Sequence, residues 1–320
     1  MKAVRVESFG GPEVLKVQTV DDPPPGAGQV LVRMHAVGIN PVEAYIRSGQ
    51  YAKLPTLPFT PGSDGAGIVE AVGVNAGHFQ AGDRVYLSGS MTGTYAELAL
   101  ADVSDVHPLP DNVSFSQGAA LGVPYATAWR GLFLRARARA GETVLIHGAT
   151  GGVGLAAIQL AAAAGLNVIA TGGSPAGRQM ATAQGATQVL DHHAESHWQA
   201  IVDATDGRGV DVIVELLANV NLGRDLQLLA RGGRVAVIGS RGPVEINPRD
   251  AMAREATILG VMVSGSSSAE LVEIHAAIRA GLATGALAPV VAAELPLQQA
   301  PQAHERVMQA GAGGKVVLVP

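Results

Sequence analysis

The feature that most constrains this chain is the segment Thr143-Val144-Leu145-Ile146-His147 followed by Gly148-Ala149-Thr150-Gly151-Gly152-Val153-Gly154 and then Leu155-Ala156-Ala157-Ile158. An apolar strand runs into a turn with four glycines in seven residues, and a helix starts at once. That succession is the context a dinucleotide fingerprint needs: the turn and the positive end of the helix aim backbone N–H groups at a pyrophosphate. Gly151 carries no side chain to obstruct the phosphates, and Gly154 lets helix and strand pack closely. Ala149 fills the first slot of G-x-G-x-x-G, so the motif gains its force from the rest of the chain.

The flanking sequence supplies it. Six apolar strand candidates lie at Thr143–His147, Asn167–Thr171, Gln188–Leu190, Asp211–Glu215, Arg234–Ile238 and Thr257–Val261, most of them separated by segments of helical length and period. Such alternation predicts an α/β fold, a Rossmann doubly wound six-stranded parallel sheet covered by helices on both faces. Residues 1–124 have a different texture, with short β runs such as Val30–Val37, Ala66–Val72 and Asp83–Leu87 punctuated by Pro23-Pro24-Pro25-Gly26, Thr60-Pro61-Gly62 and Gln80–Asp83. The division expected is a β-rich domain over 1–124, completed by 265–320, and a dinucleotide-binding domain over 125–264. In the tail, a helix is predicted from Ala269 to about Arg279, and the strand Lys315–Val319 is placed to rejoin the first domain.

Composition excludes several classes. With 48% hydrophobic residues and a formal charge of -5, the chain is neither disordered nor built for diffuse nucleic-acid binding. It has no cysteine, which excludes disulfides, thiol catalysis and Cys-ligated zinc or iron–sulfur sites. The apolar window Val153–Ala170 is interrupted by Gln159, Gly165 and Asn167, so it reads as a buried helix entering a strand rather than a membrane span. The charged start Met1–Glu7 reads as a strand, and a soluble, cytoplasmic protein is expected.

The second strand candidate ends Ala170-Thr171-Gly172-Gly173-Ser174, without the carboxylate that holds the ribose 2′-hydroxyl in NAD sites. A 2′-phosphate is tolerated there, and Arg178 and His192 are candidates to supply charge. The expected cofactor is therefore NADPH.

Five blocks in order now point to one family: Asn40–Gly49, Pro61–Gly67, Gly148–Gly154, Ala218-Asn219-Val220-Asn221-Leu222 and Val237-Ile238-Gly239-Ser240-Arg241-Gly242. Over nearly its whole length the chain resembles the zinc-free medium-chain dehydrogenases/reductases, specifically the quinone oxidoreductase and zeta-crystallin group. The resemblance implies a GroES-like substrate domain joined to the Rossmann domain, with nicotinamide in the interdomain cleft. It further implies NADPH-dependent reduction of quinones, ortho-quinones favoured, without metal. At the positions where zinc alcohol dehydrogenases carry a catalytic Cys and His, this chain has Asn40 and Ser63.

By the same resemblance, Thr150, Gly151, Gly152 and Val153 form the pyrophosphate turn, and Gly173, Arg178 and His192 surround the 2′-phosphate. The family's basic residue often sits one place before Arg178, where this chain has Gly177. Asn221, Ile238, Gly239, Ser240 and Arg241 match cofactor contacts at the ends of the fourth and fifth strands. Val261 and Val263 flank the place where backbone meets the carboxamide. Asn40, Tyr45 and Tyr51 match the substrate-side, catalytic positions. No metal site is expected. Two other readings stay open: an NADPH-dependent alkenal or enone C=C reductase, and an NADPH-binding RNA-binding or structural, crystallin-like protein. The resemblance also implies a homodimer paired through the edge strand Thr257–Val263. Among side features, His193 and His197 are expected to face solvent, Arg135, Arg137 and Arg139 to be solvated, and Asp64 to brace its loop.

Overall fold

The computed structural model describes residues 1–309, 311 and 313–320. The chain forms two compact units, one of residues 1–123 with 288–320 and one of residues 124–287.

The first unit begins with the antiparallel pair β1 (Lys2–Arg5) and β2 (Lys16–Thr19). Its main sheet is built from β3 (Gln29–Gly38), β4 (Asp64–Val72), β5 (Arg84–Ser88), β6 (Leu98–Asp102) and β7 (Val106–Pro108). Helix α1 (Pro41–Arg47) follows β3 directly, capped by Asn40 and Glu43 as a capping box, with Pro41 fixing the first turn. A short helix α2 (Phe115–Gly118) and then α3 (Gly122–Trp129) lead out of this part of the chain.

In the second unit the predicted strands appear as β8 (Thr143–Ile146), β9 (Asn167–Thr171), β10 (Gln188–Leu190), β11 (Val210–Glu215), β12 (Leu229–Val237) and β13 (Thr257–Gly260). Between them run α4 (Gly152–Ala163), α5 (Pro175–Ala183), α6 (His197–Asp203), α7 (Ala218–Leu228) and α8 (Pro248–Arg254). Every pairing is parallel, and the order is β10-β9-β8-β11-β12-β13. The strand order reverses between β8 and β11, which makes their carboxyl ends the switch point where a dinucleotide fold opens a crevice. All of β8 is buried, as a central strand covered on both faces must be. Gly154–Ala161 of α4 are buried all round, so the apolar window is a core helix. No helix among the described residues is long and apolar enough to cross a membrane.

Helix α9 (Ser268–Thr284) corrects the expected boundary at 264/265, because it belongs to the second unit. Glu273 accepts from Trp129 Nε1 at 3.2 Å, and Glu270 from Arg130 Nη2 at 3.4 Å. These bonds tie the helix to the start of the same unit. The tail then returns to the first unit as β14 (Val291–Pro296), α10 (Ala300–Met308) and β15 (Lys315–Val319), with β15 antiparallel to β3 and parallel to β14. The completed sheet has the order β14-β15-β3-β4-β5-β7, with β6 on β3, around a core that includes Val30, Val32, Ile39, Val85, Tyr95, Val316 and Leu318.

Candidate active site

The glycine turn joins β8 to α4. Gly148 has φ +59°, a left-handed conformation that glycine takes without strain. Gly151 is the N-cap of α4 in extended conformation, with no side chain capping the helix, so its first N–H groups are available to a ligand. A Cβ on Gly154 would lie 2.5 Å from Gly148 O and 2.6 Å from Ala149 Cα, so helix and turn touch through backbone alone. A Cβ on Gly151 would meet only Gly148 O, at 3.7 Å. Of these two glycines, Gly154 serves packing and Gly151 leaves space for something else. Thr150 is buried beside them.

At the end of β9 several predicted residues converge. Arg178 Nη1 donates to Gly172 O and Gly173 O, each at 3.2 Å, and forms an ion pair with Asp191 Oδ2 at 2.9 Å. A Cβ on Gly173 would meet His193 Nε2 at 2.7 Å and His192 Nε2 at 2.9 Å. Burial, then the neighbouring His193, pulls the proton affinity of His192 below the usual histidine range. Two residues were not foreseen here. His193 is exposed to solvent, as expected, yet its Nε2 also lies over Gly173, and Asp191 brings a carboxylate from the end of the third strand. A backbone hydrogen bond from His193 holds the Asp191 carboxyl below its ordinary range. His193 precedes α6 and shares no helix face with His197, which is buried against Trp198 at 4.2 Å between ring centres.

Across the switch point, the ends of β11 and β12 are knitted together through Glu215. Its backbone O accepts from Ile238 N at 2.8 Å and Gly239 N at 3.2 Å. Its side-chain Oε1 accepts from Leu217 N and from Asn221 Nδ2, the latter at 3.3 Å. Gly239 O accepts from Ala218 N at 2.8 Å, Arg241 N donates to Asn219 Oδ1 at 2.9 Å, and Ser240 Oγ donates to Gly242 O at 2.8 Å. Val261 N donates to Val237 O at 2.9 Å; Val261 is buried and Val263 half-buried. The predicted residues of this side therefore share one wall.

In the first unit Asn40 is only 3% exposed and its polar atoms are spent. Its Oδ1 accepts from Lys315 Nζ at 2.6 Å, and its Nδ2 donates to Asp64 Oδ2 at 2.9 Å and Glu43 Oε1 at 3.4 Å. The expectation that Asn40 acts on substrate is corrected: this amide is an internal brace. Asp64 braces as expected, accepting also from Lys315 Nζ at 2.8 Å and Val123 N at 2.8 Å. Glu43 continues the network to Tyr95 Oη at 2.7 Å and, through it, to His304 Nε2 at 3.0 Å. Burial pushes the Glu43 carboxyl up and drives His304 down to about 3. Tyr45 and Tyr51 are half-buried, and among the described residues neither hydroxyl has a hydrogen-bond partner.

Among the described residues one group, His147, Glu215 and Asp225, offers donor atoms of metal-ligand type within 4.8 Å of one another. His147 Nε2 stands 4.0 Å from Glu215 Oε2, wider than the roughly 3.4 Å edge of a tetrahedron with zinc-type bonds of about 2.0–2.1 Å. The three fit a hydrogen-bonded group better than a zinc site.

Comparison with known proteins agrees with this layout. The profile of the alcohol dehydrogenase GroES-like domain matches residues 26–111, and that of the zinc-binding dehydrogenases matches residues 152–278. The quinone oxidoreductase of Mus musculus is 51% identical over 323 residues, covering 100% of this chain and 98% of its own. That of Homo sapiens is 50% identical over 321 residues, with the same coverage. Escherichia coli quinone oxidoreductase complexed with NADPH superposes with a TM-score of 0.90 at 30% identity, covering 100% of both chains. An NAD-dependent alcohol dehydrogenase superposes with a TM-score of 0.93 at 31% identity, again over 100% of both. The chain is a medium-chain dehydrogenase/reductase. Within that family it belongs with the quinone oxidoreductases of the zeta-crystallin group, and it is an oxidoreductase.

Proposed function

We propose that this protein reduces quinones with NADPH, ortho-quinones being the favoured acceptors. One observation carries the cofactor half of this reading: Arg178, His192 and His193 converge on Gly173 at the end of β9, where a 2′-phosphate needs donors and positive charge. Asp191 is engaged by Arg178 and is thereby drawn away from a ribose hydroxyl. The relatives named quinone oxidoreductase, and the Escherichia coli enzyme complexed with NADPH, support the reading.

The residues present fit such a cofactor. The turn Thr150–Val153 and the first N–H groups of α4 would hold the pyrophosphate. Asn221, Ile238, Gly239, Ser240 and Arg241 would line one side, and backbone at Val261 and Val263 would meet the carboxamide. The bound cofactor supplies hydride or electrons; the protein supplies position and exclusion of water. Tyr45 and Tyr51 carry unspent hydroxyls, so either can donate to an acceptor oxygen as it gains charge. No general acid is required, because water can deliver the proton. Asn40 and Ser63 stand where zinc ligands would, and neither replaces thiolate or imidazole.

Steady-state turnover with NADPH against a panel of quinones and enones tests the acceptor. Faster turnover of ortho-quinones is expected, and faster turnover of enones would replace quinone by an activated C=C bond. A cytoplasmic homodimer is part of the same reading. β13 is an edge strand with Ile258 42% exposed, and pairing two copies there would continue the sheet. Light scattering should give twice the chain mass, and a monomer would remove the dimer.

A further inference from the structure

Below the cofactor-facing turns lies a buried network with no part in the steps above. His147 follows β8, Thr171 ends β9, Glu215 ends β11, and Asp225 projects from α7; they are 3%, 1%, 0% and 0% exposed. His147 Nδ1 meets Thr171 Oγ1 at 3.2 Å, and His147 Nε2 meets Asp225 Oδ1 at 3.0 Å. Two atoms are left over, Glu215 Oε2 and Asp225 Oδ2, both buried and both without a hydrogen-bond partner. With their ligand atoms within 4.8 Å of one another and both side chains buried, the two carboxylates do not both carry charge, and an unsatisfied buried oxygen is costly. One shared proton satisfies both oxygens at once.

We propose that Glu215 is the positioning residue of the cofactor wall: it carries the shared proton on Oε2, donates it to Asp225 Oδ2, and uses Oε1 and its backbone carbonyl to fix Asn221, Ile238 and Gly239. The inference rests on the reading that those residues line the cofactor. The hydrogen bonds then close without remainder. Asp225 keeps the charge and accepts from Glu215 and from the Nε2–H of a neutral His147, whose Nδ1 accepts from the Thr171 hydroxyl. Burial works in the same direction, raising Glu215 to about 8 and Asp225 to about 6 and lowering His147. The titratable groups facing Glu215 are His147 from the end of β8 and Asp225 from α7, while His147 in turn lowers His192, beyond β10.

The test compares E215Q and E215A with the wild type in NADPH affinity, KM and kcat, and in melting temperature without cofactor, from acid to alkaline pH. Glutamine reproduces the neutral acid, accepting with Oε1 and donating with Nε2. E215Q should therefore keep NADPH affinity near pH 7 within about twofold, well inside the effect of one hydrogen bond. In wild type the stabilisation from the protonated carboxyl is whole below the ordinary carboxylate range and is lost as pH rises through about 8, so melting temperature should fall there and should not in E215Q. E215A should raise the KM for NADPH roughly tenfold or more, with kcat less affected, because the fixing of Asn221 is lost. If E215A does not fold, E215Q still decides. E215Q that loses NADPH binding, or keeps the alkaline fall in melting temperature, would overturn the assignment. A G151V protein with normal NADPH affinity would instead overturn the cofactor reading, leaving the cofactor-free melting curves to judge Glu215 alone.

Discussion

Gly151 and Gly154 lie in one turn, and the structure separates their jobs sharply enough to predict opposite phenotypes. Gly154→Ala places a Cβ 2.5–2.8 Å from Gly148 O and from Ala149 Cα and carbonyl C, all backbone that no side-chain rotation can relieve. Forcing the helix from its strand costs about 1–3 kcal/mol as overpacking. At roughly 2–4 °C per kcal/mol for a unit of this size, the melting temperature should fall by about 2–12 °C. Gly151→Val differs. The backbone at φ −86° and ψ 171° suits any residue, and the nearest atom to a new Cβ is Gly148 O at 3.7 Å. The poorer N-cap costs up to about 1 kcal/mol, and the stiffer unfolded chain returns about 0.4–1 kcal/mol. Stability should therefore change by less than about 1 kcal/mol. The valine side chain would instead occupy the place of the phosphates, and an overlap of about 1–3 kcal/mol weakens binding about 5- to 150-fold. Thermal unfolding by circular dichroism and NADPH fluorescence titration, on the same preparations, measure both quantities. A Gly151→Val protein that melts several degrees lower yet binds NADPH normally would refute the division, as would a Gly154→Ala protein as stable as wild type.

Four further outcomes are expected. His193→Asn should raise the KM for NADPH by roughly tenfold, the worth of one charge-assisted hydrogen bond, and leave the KM for NADH unchanged; because protonated His192 attracts the 2′-phosphate, NADPH selectivity in wild type should rise as pH falls below the usual histidine range. Lys315→Met leaves Asp64, 0% exposed, without its cation, and denaturant titration should show a loss of about 3–5 kcal/mol. Tyr45→Phe should lower kcat by roughly tenfold with the KM for NADPH unchanged, and an unaltered kcat would shift the donor role to Tyr51.

Much of the fold was legible because the second unit repeats one local pattern. Strands such as Thr143–Ile146 and Asn167–Thr171 are continuous apolar runs, as buried parallel strands must be. The misreadings have physical causes. Gly232-Gly233 looks like a break, yet β12 begins at Leu229 and runs through it, with a register irregularity against β11. β14, an Ala-containing edge strand, carries too few strand-forming residues to stand out. The turn residues of the site were legible because the fingerprint is local in sequence. The brace on Asn40 was not, since its cation, Lys315, lies 275 residues away. That the exposed His193 also borders Gly173 is not legible in the sequence, since only the closing of the chain brings the two together. Nothing local in the sequence marks Glu215 and Asp225 as partners, because sequence alone does not show that β11 and α7 bury them together.

The most direct measurement is kcat/KM for NADPH and for NADH with one ortho-quinone and pure protein. Two charge-assisted hydrogen bonds at Gly173, about 1.5–3 kcal/mol each, predict a preference for NADPH of roughly a hundredfold or more. Equal use of the two cofactors, or no quinone reduction with either, would contradict the reading of Arg178, His192 and His193 as the cradle of a quinone reductase.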